Sequence, residues 1–142
     1  VTVTSWRNAT AGQVLVAEVN ARWPGRDRAS DGSIGDAAHA KRASDHNPWL
    51  VKDGVGVVRA RDVDADGIDA GWLAEHLRVV GARGDRRLVP GGYVIFDGRI
   101  TTPDFRRWRP YRGANPHTGH LHVSLSTDLG PDGFDSGAGW GI

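Results

Sequence analysis

Residues 120–126, HLHVSLS, read as a β-strand in which His120 and His122 lie two positions apart, so both imidazoles leave the same face of the sheet that receives it. His117 stands just ahead in HTGHLH, and three of the chain's six histidines therefore fall within six residues. Protonated together, the three rings would repel one another, so a fold containing this strand needs something that organises them. A metal ion is the obvious organiser.

The remaining segments supply both helices and strands. Thr10 is placed to cap a helix over 11–22, with Val14, Val16, Ala17 and Val19 on one stripe and Pro24-Gly25 as its stop. A turn-rich stretch follows, with a short helix across 34–42. GVVRARDVDA reads as one strand, with Val57, Arg59, Arg61 and Val63 on one face and Val58, Ala60, Asp62 and Asp64 on the other. DAGWLAEHLRVVGARG sets Trp72, Leu73, His76, Leu77 and Val80 at helical spacing, with Gly81 or Gly84 as the stop. GYVIFDGRIT gives a strand, an Asp97-Gly98 turn and a return strand. Strands mixed with two or three helices, without regular βαβ alternation, predict a small α+β domain with an antiparallel sheet.

Twenty glycines and seven prolines in 142 residues imply many turns around a single core, and the whole chain, 1–142, is expected to be one domain. Its opening at Val1 fits a module excised from a longer protein, and no signal peptide leads it. The 18 Lys and Arg are balanced by 17 acids, which argues against nucleic acid or an anionic membrane as partner. No apolar run approaches the roughly 20 residues of a membrane span. The absence of cysteine removes disulfides, thiol nucleophiles and thiolate ligands, so a transition metal must be held by imidazole and carboxylate. Such a set suits a catalytic zinc, which needs three protein ligands and an open position for water. His46 in SDHNP, Asp62 on the acid-bearing strand face and a histidine of the late strand would together make one.

The block SDHNP…GVVRARD resembles the Ser-x-His and Gly-x-Ala-x-Asp signature of the M15 peptidases, the zinc D-Ala-D-Ala carboxypeptidases and L-alanyl-D-glutamate endopeptidases that also occur as cell-wall-degrading domains of phage endolysins. Ser44, His46, Ala60 and Asp62 match its fixed positions, and HTGHLH is similar to the family's His-x-x-His-x-His. The resemblance spans about residues 26–126. It implies zinc held by His46, Asp62 and His122, with His120 and His117 as catalytic residues, in the DD-peptidase-like fold. It also implies a substrate-carboxylate clamp upstream of the Ser-x-His, at Arg28 with Arg26 and Arg42 as rivals, and a substrate-binding or loop-holding role for Ser44.

Two departures from the family pattern bear on the site. Fifteen residues separate His46 and Asp62, so WLVKDGV is expected to form a hairpin or loop insertion, and Asp53, Asp64 and Asp66 stand as rival carboxylates. Many members carry an acid where this chain has Gly119; the only glutamates, Glu18 and Glu75, fall on predicted helices, so a histidine must handle the proton. Trp108 and Tyr111 either wall a groove or pack their loop.

The expected activity is zinc-dependent hydrolysis of a peptide bond in peptidoglycan, by a monomer made in the host cytoplasm and acting at the cell wall after release. The alternative is a zinc-containing binding module of the same fold, without hydrolysis.

Overall fold

The strand expected at 120–126 lies inside an antiparallel sheet in the computed structural model, which describes residues 5–32 and 50–142. In chain order the elements are β1 (Trp6–Asn8), α1 (Thr10–Arg22), β2 (Leu50–Lys52), β3 (Val55–Val58), β4 (Ala60–Asp64), α2 (Ala70–Ala82), β5 (Tyr93–Phe96), β6 (Arg99–Thr101), β7 (Trp108–Pro110) and β8 (His120–Ser124). Five of them form the main sheet in the order β4-β8-β5-β6-β7, with every pairing antiparallel. A second sheet, β1-β3-β2, pairs β1 parallel to β3 and β2 antiparallel to it. The α+β class is as expected, with two helices among the described residues. The expected helix across 34–42 lies outside them.

Both helices cover one face of the main sheet. Leu15 and Val19 of α1 and Leu73 and Leu77 of α2 are buried with Val63, Val94, Leu121 and Val123, which project from the sheet toward them. The opposite face carries Asp62 and Asp64 of β4 and His120, His122 and Ser124 of β8. No helix among the described residues is long and apolar enough to cross a membrane.

The expected single strand at 56–65 is instead two strands in different sheets. Arg59 marks the break: its guanidinium donates to the carbonyls of Gly91 and Leu125, and its own carbonyl accepts from the Leu125 amide. Period-two alternation runs through such a corner unchanged, so the pattern alone could not locate it. The described part of the predicted insertion WLVKDGV, residues 50–55, is a hairpin: Lys52 pairs with Val55 across Asp53 and Gly54, both at positive φ. Asp97-Gly98 closes the second hairpin in the same conformation, which matches the strand twist.

α1 begins at Thr10, with Ala9 in the capping position and no side-chain cap. The Thr10 hydroxyl donates to Asp135 instead. The buried stripe of α1 is Ala11, Gly12, Leu15 and Val19, so the expected stripe was rotated, and Val14 and Val16 only flank the core. α2 matches its predicted span and is capped by Asp69, which accepts from the Trp72 amide; Gly84, at φ 84°, follows its end.

The C-terminal segment seals the core. Trp140 is 2% exposed, its indole N–H donates to the Ala11 carbonyl, and Arg87 lies over its ring at 3.9 Å. Glu18 accepts from the Trp140 and Ile142 amides, while Glu75 accepts from Arg78 and the Trp108 indole. Both glutamates thus tie segments together, Glu18 the C-terminal segment to α1 and Glu75 the β7 indole to α2.

Asp135 joins three further segments, accepting from Arg7, Thr10 and Lys52. The Arg7 guanidinium, then Lys52 and the Thr10 amide, hold its carboxyl well below the usual carboxylate range against the opposing effect of burial. Asp135→Asn should therefore destabilise the fold by about 1–2 kcal/mol at neutral pH. Because the folded pKa is depressed, this contribution is complete above about pH 4 and fades as pH falls through the folded value. Thermal melts of both proteins from pH 7 down to pH 2 should show the gap in Tm narrowing only in acid.

Candidate metal centre

Antiparallel pairing puts directly opposed residues on the same face, and the β4–β8 register opposes Asp62 to His122 and Asp64 to His120. Two carboxylates and two imidazoles thereby share the face that the helices leave uncovered. The Asp62 carboxylate lies between the rings, with Oδ1 3.2 Å from His122 Nδ1 and Oδ2 3.7 Å from His120 Nε2. His122 Nε2 is 2.8 Å from Ser124 Oγ, and the Tyr93 ring stacks on the His122 imidazole at 5.5 Å and 16°. The neighbouring acid is otherwise engaged: Asp64 accepts from the amides of Ser30 and Asp66. Burial opposes its ionised form, but those amides and Arg26 outweigh burial and hold its pKa below normal.

His117 reaches the group from the loop before β8. Its φ of 57° lies in the left-handed region, and the conformation is held at both ends of the residue. Its amide donates to Asn115 Oδ1, and its carbonyl accepts from Asp97 in the β5–β6 turn. The ring then sits edge-on to His120 at 4.9 Å and to His122 at 5.3 Å, with Tyr111 at 6.0 Å. His117 Nδ1 is buried without a hydrogen-bond partner among the described residues. Burial, then the neighbouring His122 and His120, push its pKa down to about 4, so the ring is neutral at physiological pH.

A cation fits this arrangement. Asp62, His117 and His120 each offer a ligand atom, and the three atoms lie within 4.8 Å of one another. Tetrahedral bonds of roughly 2.0–2.1 Å place ligand atoms about 3.3–3.4 Å apart, and the 3.2 and 3.7 Å separations around Asp62 bracket that edge. The orphaned Nδ1 of a neutral imidazole is the donor type such an ion takes.

No family model matches the chain, and no curated protein or solved structure is significantly similar to it. The candidate site therefore rests on its own geometry.

Four of the seven residues singled out from the sequence come together here: Asp62, His117, His120 and His122. Ser44 and His46 lie outside the described residues, as do Asp36, His39 and Arg42. Arg28 is exposed on the loop leading to Gly32, whose backbone bridges Asp62 on the outer side of β4. Its rival Arg26 is buried and grips Asp31 with two guanidinium nitrogens while bonding Asn20, a structural role. Among the rival acids, Asp53 occupies a hairpin turn. His76 packs on Trp72, as its helical position suggested.

The sequence reading missed Ser124, Tyr93 and Asn115. Ser124 was within reach, standing two positions after His122 on the same strand face. Tyr93 was not, since its place beside His122 depends on β5 pairing with β8.

Proposed function

We propose that the chain is a zinc-dependent peptidase that cleaves a peptide bond in bacterial peptidoglycan, as its resemblance to the M15 peptidases implies. The buried, unpartnered Nδ1 of His117 supports this reading most strongly, because it stands in a group that already contains a carboxylate and two further imidazoles. In the assignment implied by the resemblance, Asp62 and His122 hold the ion together with His46. The clustering of Asp62, His117 and His120 favours a second assignment in which those three are the ligands. Asp62 belongs to both.

A divalent ion held by these residues would supply Lewis acidity toward a water and a carbonyl oxygen. The protein's own groups do the rest. Ser124 Oγ hydrogen-bonds His122 Nε2 and the Tyr93 ring stacks on the imidazole, so the two together hold its orientation. In the first assignment His120, 19% exposed at the side chain, would accept and return a proton, and the neutral His117 ring beside it would donate an N–H to the developing oxyanion. Peptidoglycan peptides are the expected substrate, and the cell wall the expected place of action.

Elemental analysis and cleavage of purified peptidoglycan, measured on His120→Ala and His122→Ala, test the reading. Under the first assignment His120→Ala keeps about one zinc per chain and loses cleavage by about 10²–10⁴-fold, whereas His122→Ala loses the metal. The reverse pattern of zinc content selects the second assignment. Undiminished cleavage by both variants would remove the site from the reaction. Cell-wall peptide binding of equal strength in wild type and His120→Ala, with cleavage by neither, would leave a binding module in place of an enzyme.

A further inference from the structure

The registers of four strand pairs align one residue from each strand into a row: Asp62, His122, Ile95, Ile100 and Arg109. Directly paired residues share a face, so the row begins at the metal-binding group and ends at Arg109 on the edge strand β7. Arg109 is exposed and makes no side-chain hydrogen bond or ion pair among the described residues. It also borders a pocket of about 160 Å³, lined besides by Gly91, Gly92, Tyr93, Ile100, Thr101 and Pro103. Tyr93 ties the two places together, since it lines this pocket and its ring stacks on His122. A small, partly apolar pocket with an uncommitted guanidinium at its rim matches a short side chain next to a carboxylate, which Arg engages through two parallel N–H donors.

Spacing gives the substrate's dimensions. Strands lie about 4.8 Å apart, so the three steps from His122 to Arg109 cover roughly 14 Å. An extended peptide advances about 3.3–3.6 Å per residue, so about four residues fill that distance. We propose that Arg109 and the Tyr93–Ile100 pocket form a subsite for the terminal carboxylate of an extended peptide whose reacting bond, about four residues away, lies at the Asp62–His122 group. This rests on the peptidase reading and deepens it: the anchored carboxylate is remote from the scissile bond, as an endopeptidase requires and a carboxypeptidase does not.

The test uses the zinc-loaded protein and a peptidoglycan stem pentapeptide in two forms, with its C-terminal carboxylate free or amidated. Wild type should prefer the free form by at least about tenfold in kcat/KM, chiefly through KM. In Arg109→Gln that preference should shrink to within about twofold at unchanged zinc content, and Arg109→Lys should restore part of it. A preference retained in Arg109→Gln, or one abolished by Arg28→Gln alone, overturns the proposal. If wild type cleaves neither form, the peptidase reading fails by itself, and equilibrium binding of the same two peptides still decides the subsite. Arg109-dependent preference for the carboxylate form then upholds it, and equal binding of both forms overturns it.

Discussion

Asp62→Asn is expected to lower zinc affinity by more than about a hundredfold, beyond the 10–100-fold typical of losing an outer-shell partner, and to abolish peptide cleavage with it. Asp62 is common to both ligand assignments, and its two oxygens face different imidazoles, Oδ1 toward His122 and Oδ2 toward His120. An amide of the same shape removes the negative charge, replaces one oxygen with an NH2 group that cannot ligate, and leaves a neutral carbonyl oxygen, a weaker ligand for zinc. The fold should survive, because β4 is held by backbone pairing to β8 and by Gly32, neither of which uses the Asp62 side chain. Titration with zinc after removal of metal by a chelator gives the affinity, and circular dichroism checks that the variant is folded. Wild-type zinc binding in a folded Asp62→Asn protein would refute the candidate centre.

The largest effect expected on stability comes from the other side of the sheet. Gly81 lies inside α2, where alanine ordinarily improves a helix by about 1 kcal/mol. Here a Cβ would overlap the Phe105 side chain. Phe105 is fully buried and has little freedom to retreat: its φ is 60°, its amide donates to the Thr102 carbonyl, and its carbonyl accepts from Arg78. Overpacking of this kind costs about 1–3 kcal/mol, so Gly81→Ala should reverse the usual sign and destabilise the protein. In a chain of this size that lowers Tm by several degrees. Folded Gly81→Ala should still bind zinc as wild type does, since α2 packs against the face opposite the histidines. A Tm equal to or above wild type would show that Phe105 moves aside.

The parts of this protein that were legible in its letters are those governed by short-range chemistry. Strand spacing put His120 and His122 on one face, Asp97-Gly98 marked a tight hairpin, and the apolar positions of α2 outlined a helix with its correct span. The same period-two rule placed Asp62 and Asp64 together, as observed. Rules of this kind fail where two solutions share one local pattern. The run from Val55 to Asp64 alternates without interruption, yet it changes sheets at Arg59, because carbonyls of Gly91 and Leu125, distant in sequence, accept from that guanidinium. Thr10 looked like a cap on local grounds, but its hydroxyl turned to Asp135, 125 residues away.

What the chain's order of residues determined unaided was the supply of donors: imidazoles and carboxylates with no thiolate among them, and two histidines projecting together from one strand. Tertiary structure alone decided which acid meets them: the β4–β8 register opposes Asp62 to His122 and Asp64 to His120, but the amides of Ser30 and Asp66 engage Asp64, whereas the Asp62 carboxylate faces both rings. It also decided that His117, in a left-handed conformation braced by Asn115 and Asp97, turns a strand pair into a three-imidazole cluster. Strand pairing and loop docking are settled by burial and hydrogen bonding between distant segments. Those energies exist only once the segments have met, and so no local pattern records them.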